Sequence, residues 1–327
     1  MKGGMQIREL FSQYGEMFDI ELSQVLQNTP SYDMYKHMAY FMGFANENLE
    51  EAKSYGGKRF RSGLALLLGE FYGVLQESLP AALSLELFHN FTLIHDDIVD
   101  KDTFRRGRPT VWKLFGVDNA INDGDAQMLL SLQVVLENNF LSAEQKILLQ
   151  SFLLKQYLHV SEGQYLDFTL TKASLGDRSV NESAYLKMVG RKTADLIAAS
   201  TSIAGLVAGV SKTEQEALFT YGYELGVAYQ LCDDVVSIWG TSEQTGKRVR
   251  GDILERKKTL PILWWYANAT DSNKEEIRIL YDDKAEMTSA EAEKVVSMLD
   301  SANTYEVMME RVRTEAAAAH SAVASLS

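Results

Sequence analysis

Two long segments carry paired aspartates on stretches that are otherwise apolar around almost the whole helix. This combination constrains the fold more than any other feature. The first, Ala81–Asp102, reads AALSLELFHNFTLIHDDIVDKD, and the second, Tyr221–Trp239, reads YGYELGVAYQLCDDVVSIW. A helix that is hydrophobic on every side is buried in a protein core or in a membrane. Too much polarity flanks both segments for a membrane. The most apolar run, Leu196–Val210, is rich in Ala, Gly and Ser and falls short of the roughly 20 residues that a bilayer requires. Both segments are therefore expected as central helices of a bundle. A carboxylate buried there without a partner would protonate, and neither segment offers a Lys or Arg one turn before its aspartates. A water-filled hollow holding a hard divalent cation resolves the conflict, because such ions prefer carboxylate oxygens.

The rest of the chain agrees with an all-helical reading. Four prolines, Pro30, Pro80, Pro109 and Pro261, lie at element boundaries, and proline-free stretches with helical apolar spacing follow them. Helices are predicted over Tyr32–Ser54, Arg61–Leu75, Ala81–Asp102, Gly124–Asn139, Ala143–Thr169, Glu182–Val189, Thr193–Val210, Lys212–Trp239 and four further segments from Pro261 to Ala324, with Thr288 and Glu291 forming a capping box. No Pro/Gly/Ser-rich linker and no short repeat divides the chain. The expectation is an all-α, single-domain helical bundle over residues 1–327 with a central cavity.

A hydrophobic content of 46% supplies a sizeable core, and a formal net charge of -13 argues against a nucleic-acid partner. Cys232 stands alone, which excludes an intramolecular disulfide and fits a reducing compartment; a small buried apolar role is expected for it. The first residues lack the apolar core of a secretory signal, and no transmembrane segment is expected, so the chain reads as cytoplasmic.

Charge is unevenly placed. Asp96 and Asp100 lie one turn apart on one face, with Asp97 between them, and Asp233 and Asp234 form the second pair. Positive charge gathers in Gly56–Arg61, in Arg105-Arg106-Gly107-Arg108 just after Asp100, and in Lys247, Arg248, Arg250, Arg256, Lys257 and Lys258 after Asp233. Arginine forks bind phosphate in a bidentate manner and lysine acts as a point charge. A small anion held by metal on one side and by fixed cations on the other accounts for the juxtaposition.

These residues, in this order, resemble the trans-isoprenyl diphosphate synthases (polyprenyl synthetases). Gly57-Lys58-Arg59-Phe60-Arg61 is similar to the family's isopentenyl diphosphate clamp, with Ser62 where proline is usual. His95-Asp96-Asp97-Ile98-Val99-Asp100 with Arg105–Thr110 looks like the first aspartate-rich motif. Lys192-Thr193, Gln230, Asp233-Asp234 and Lys257-Lys258-Thr259-Leu260-Pro261 match the later motifs.

The resemblance implies a helical bundle of the isoprenoid synthase type and a magnesium-dependent prenyltransferase. It would join isopentenyl diphosphate to an allylic diphosphate such as dimethylallyl, geranyl or farnesyl diphosphate. It further implies three Mg2+ ions held by Asp96, Asp100 and Asp233 with Asp234 nearby. Arg105, Lys192 and Lys257 would grip the allylic diphosphate, Lys58, Arg61, His89 and Arg106 would grip isopentenyl diphosphate, and Lys247 would be a further substrate-binding residue. Thr193 and Gln230 would line the path of the allylic cation, and the family forms homodimers. Ser237 stands where the second motif normally ends in aspartate, which predicts a weaker third ion. Phe91 and Thr92, five and four residues before Asp96, lie about 6–8 Å down the helix, with Phe88 deeper. That pattern resembles synthases of twenty-carbon products; a fifteen-carbon product, and a non-catalytic subunit of a hetero-oligomeric synthase, are the alternatives.

Overall fold

A computed structural model describes residues 7–52, 57, 59–241, 249–282, 286–324 and 326. The chain divides into two compact units, residues 1–155 with 199–215, and residues 156–198 with 216–327.

The first unit opens with α1 (Ile7–Gln27), which buries Tyr14, Phe18, Leu22 and Leu26 at four-residue steps. The sequence reading passed over this helix because its outward face is strongly polar. Helix α2 spans Asp33–Met42 rather than running to Ser54. Gly43, at φ 93°, ends it in a left-handed cap whose N–H bonds back into the last turn. Helix α3 is Phe60–Phe71 and α4 is Leu75–Val99. Pro80 lies inside α4 near its start, so the helix begins about a turn earlier than Pro80 suggested. Every residue from Ser78 to Phe88 is buried, as expected of a central helix, and α4 packs chiefly on α3 and on α6 (Val117–Glu137).

Between them lies a feature the helical reading missed. Strands β1 (Phe104–Arg105) and β2 (Arg108–Pro109) pair antiparallel around a two-residue turn at Arg106 and Gly107. Both turn residues have positive φ, 52° and 75°, the requirement of the tight hairpin turn that matches strand twist. The short helix α5 (Val111–Phe115) follows.

The second unit contains most of α7 (Ala143–Lys172) and α10 (Lys212–Trp239), with α8 (Glu182–Val189). A single π-helical turn, Gly190–Ala194, leads into α9 (Asp195–Ala208). After it come α11 (Gly251–Leu254), α12 (Leu260–Asn268), α13 (Asp271–Asp282), α14 (Ser289–Ser301) and α15 (Thr304–Val323). The capping box of Thr288 and Glu291 forms as expected. Tyr185, Val189, Leu231, Ile238, Ile262 and Leu299 lie in this unit's core. Helix α10 departs from its expected all-round burial: Tyr229, Cys232 and Asp233 are exposed, so Cys232 is not the buried group its flanks suggested. Among the described residues, no helix is long and apolar enough to cross a membrane.

Candidate functional site

In the first unit the site is built on α4. Because Cβ positions recur every three to four residues, Glu86, His89 and Asn90 share one side of the helix about two to three turns before Asp96 and Asp97. Arg59, at φ 47° just before α3, donates to Glu86 at 2.8 Å, to Asp19 at 3.2 Å and to the Met42 carbonyl at 3.3 Å. Glu86 is buried, and Arg59 is the leading group that offsets its burial and holds its carboxyl below the ordinary range. The Ser62 hydroxyl, standing where proline was expected, lies 3.4 Å from Glu86 and 3.3 Å from the Arg59 carbonyl. The Asn90 amide donates to the same Glu86 carboxylate at 3.0 Å.

On this frame sit the expected substrate cations. Arg61 Nη1 lies 3.2 Å from His89 Nε2. Guanidinium cannot accept, so Nε2 is the unprotonated nitrogen. Burial, then Arg61, Arg106, Arg105 and Arg59, hold the His89 pKa well below its ordinary value. Arg61 therefore faces a neutral imidazole, while Arg59 and Arg105 are already paired with Glu86 and Asp97. Arg106 reaches Asn90 Oδ1 at 3.4 Å, and a Cβ at Gly57 would lie 2.9 Å from its guanidinium, so a side chain there would shift the arginine's end. Lys58 lies outside the described residues.

At the C-terminal end of α4, Asp96 is half-buried and Asp100 exposed, with no basic residue in the last turn. The helix dipole is negative at that end, so these carboxylates gain from a nearby cation. Asp97 is buried; its Oδ1 accepts from Arg105 Nε at 2.7 Å, while Oδ2 has no hydrogen-bond partner among the described residues. Burial raises its pKa to about 6. Below, Phe91 stacks edge-on against Phe88 at 4.8 Å and against His95 at 5.6 Å, and Thr92 bonds back to the His89 carbonyl.

The second unit holds the remaining candidates. Lys192, in the π-helical turn, donates to Asp167 of α7 at 2.5 Å. The Thr193 hydroxyl donates to Gln230 Oε1 at 2.8 Å, and Gln230 Nε2 donates to Asp234 Oδ1 at 3.0 Å. The buried Tyr185 hydroxyl donates to Asp234 Oδ2. Burial and the Asp252 charge raise the Asp234 pKa to about 7. Asp233, its neighbour, is exposed. Lys257 pairs with Glu255 at 2.8 Å and Asp252 at 3.3 Å. The Asp252 N–H donates to Ser237 Oγ at 3.4 Å, so the serine in the aspartate's expected place secures the start of α11. Lys247 lies outside the described residues.

Lys258 is buried, donates to the Thr171 carbonyl at 2.6 Å, and has its pKa lowered to about 8 by burial. A folded-state pKa below the unfolded value means the unfolded chain binds more protons from about pH 8 to 10.5. Across that window the wild type should gain about 2 kcal/mol of stability relative to Lys258→Met, at roughly 1.4 kcal/mol per pH unit before solvent screening. Urea unfolding of both proteins at pH 7 and pH 10 checks this; a constant difference counts against it.

Sequence reasoning missed Glu86, Asn90, Asp167, Tyr185 and Asp252. Asp167 and Tyr185 are legible only through partners distant in the chain, Lys192 and Asp234. Glu86, a carboxylate inside an apolar run one turn before His89, was the one available signal.

Arg61 and Arg106 lie beside His89 and Asn90 of α4, and carboxylates that suit a hard cation follow at the end of the same helix. The chain belongs to the polyprenyl synthetase family, whose model matches residues 44–299. It is 35% identical over 257 residues to the (2E,6E)-farnesyl diphosphate synthase of Mycobacterium tuberculosis, covering 78% of this chain and 70% of that one. It is 33% identical over 293 residues to the geranylgeranyl diphosphate synthase of the same organism, covering 88% and 81%. The polyprenyl synthetase of Streptomyces coelicolor has a similar structure, with TM-score 0.84 and 29% identity over 96% of this chain and 92% of that one. Its helical bundle is the fold the resemblance implied.

Proposed function

We propose that the chain is a trans-prenyltransferase that condenses isopentenyl diphosphate with an allylic diphosphate to give a longer all-trans prenyl diphosphate. The observation that carries this reading is α4, where His89 stands among guanidiniums and Asp96, Asp97 and Asp100 follow on the same helix. Diphosphates of the class named for the Mycobacterium tuberculosis relatives, farnesyl and geranylgeranyl diphosphate, suit such a site.

In this reading Lys58, Arg61, His89 and Arg106, with Lys247, bind the isopentenyl diphosphate side, and Arg105, Lys192 and Lys257 grip the allylic diphosphate. Arg105, Lys192 and Lys257 now rest on Asp97, Asp167 and Asp252 respectively, so an incoming diphosphate competes with carboxylates already in place. The Thr193 hydroxyl commits its proton to Gln230. Its oxygen can then offer only lone pairs to a developing allylic cation. The allylic carbon–oxygen bond breaks, a carbon–carbon bond forms to the isopentenyl double bond, and a proton leaves. The protein aligns both substrates and keeps water from the cation.

The donor set suits magnesium. Asp96 and Asp100 at a helix C-terminus, the partnerless Asp97 oxygen, and Asp233 are hard oxygen ligands. Among the described residues no three such side chains gather into a cage, and magnesium typically takes one or two carboxylates and completes its shell with water and phosphate. When bound, the ions would neutralise negative charge on the departing diphosphate.

A twenty-carbon product is favoured, with fifteen carbons as the alternative, because Phe91 and Phe88 stack below the first aspartates. Phe91→Ala should lengthen the products by at least one five-carbon unit; an unchanged profile by mass spectrometry removes Phe91 from this role. A homodimer is the proposed assembly, supported by exposed Ile121, Leu129 and Leu136 on α6, Phe140 in the connection that follows and Ile147 at the start of α7. The decisive test is incubation of the purified chain with isopentenyl diphosphate and primers of increasing length, with and without magnesium. Formation of longer prenyl diphosphates supports the reading, and their absence in every combination ends it.

A further inference from the structure

We propose that His159 and Asp195, which belong to none of the motifs above, are positioning residues that hold Lys192 and Thr193 in place through the backbone of the π-helical turn. This rests on the reading of Lys192 as an allylic diphosphate ligand.

The turn Gly190–Ala194 is held from two sides by helix faces with four-residue spacing. On α7 the face is His159, Gly163 and Asp167. His159 Nδ1 lies 2.8 Å from Asp195 Oδ2, immediately after the turn. A Cβ at Gly163 would lie 2.3 Å from the Lys192 backbone nitrogen, so the helix touches the turn's main chain directly. Asp167 takes the Lys192 ammonium. On α10 the face is Gly226, Gln230 and Asp234: a Cβ at Gly226 would lie 2.5 Å from Ala194 Cα, and Gln230 takes the Thr193 hydroxyl. Gly190 is pressed against the Tyr223 hydroxyl in the same way.

A π-helical turn places one extra residue in the helical path and persists only where its surroundings hold it. Glycine contacts set how near the turn can come, but they do not fix its rotation. A directional bond from Asp195 does. Asp195 is buried, and its Oδ2 receives both His159 at 2.8 Å and Arg191 at 3.3 Å, with Arg191 also 3.6 Å from Glu162 of α7. Asp195 thus ties the residue after the turn to α7 one turn before the glycine contact. The Asp167–Lys192 pair ties it one turn after. Releasing the first tie leaves only the Asp167–Lys192 and Thr193–Gln230 bonds to orient the turn, and a shift of the turn moves the Lys192 ammonium and the Thr193 hydroxyl together.

The test compares the wild type with His159→Leu, His159→Gln and His159→Asn, with Lys192→Gln as a benchmark. Asn places its amide N–H where Nδ1 stands, whereas Gln places it at the Nε2 position. His159→Leu and His159→Gln should raise KM for the allylic diphosphate about tenfold, within the roughly 10²-fold that a 1 Å misplacement can cost. KM for isopentenyl diphosphate should stay within twofold, and His159→Asn should restore the wild-type value. Amide hydrogen exchange over residues 190–195 should quicken in the first two variants and not in the third. If Lys192→Gln raises the allylic KM while His159→Leu and His159→Gln leave both that KM and the exchange unchanged, the inference is overturned. It is equally overturned if both KM values rise together, since that reports general loosening. If Lys192→Gln leaves the allylic KM unchanged, the assignment of Lys192 fails instead, and the exchange data alone decide whether His159 holds the turn.

Discussion

Asp96→Asn should lower turnover by about 10³-fold, the upper range for loss of one group that stabilises developing charge, while the protein stays folded. Asp96 is half-buried at the C-terminal end of α4, where the helix dipole is negative. In the proposed reading its charge helps to recruit the ions that would neutralise the diphosphate. Activity at saturating substrate over a magnesium series, alongside thermal melts of the ligand-free protein, separates lost catalysis from lost folding. A variant that is as active as wild type, or inactive only because it has unfolded, counts against the role.

The largest effect on stability is expected at Arg59. Arg59→Leu strands the Glu86 carboxylate in the core with, among the described residues, the Asn90 amide and the Ser62 hydroxyl as its remaining side-chain hydrogen-bond partners. Removing one partner of a buried ion pair costs about 3–5 kcal/mol, because the remaining charge is uncompensated. The double variant Arg59→Leu, Glu86→Leu should recover much of that loss, since replacing both partners by apolar groups of similar size is often nearly neutral. Chemical denaturation of the single and double variants measures both. If the double variant is no better than Arg59→Leu alone, the cost lies in the left-handed start of α3 or in the Asp19 contact and not in the buried charge.

Arg59 also shows where the sequence could and could not be read. The helical class, the exact spans Glu182–Val189 and Lys212–Trp239, and the Thr288 capping box followed from local periodicity and local capping chemistry. Those signals lie within a few residues of the structure they specify. The hairpin at Phe104–Pro109 did not announce itself, because each strand is only two residues long and its turn uses Arg106 in a conformation that usually calls for Gly or Asn. The second unit's network was hidden for a different reason. Asp167 meets Lys192 and Tyr185 meets Asp234 across 25 and 49 residues of chain, and nothing local to either residue names its partner. The candidate aspartates were conspicuous because apolar flanks made them costly; the groups that orient them were not.

The hairpin has a consequence for how the protein tolerates change. Arg105 and Arg106 are consecutive, yet the first serves Asp97 and the second reaches Asn90. What assigns each guanidinium to its own target is the count of residues between the end of α4 and the Phe104↔Pro109 pairing. Swapping a side chain in this ribbon disturbs one contact, whereas adding or removing a single residue would re-address both arginines at once, so the segment's length is a stricter specification than its composition.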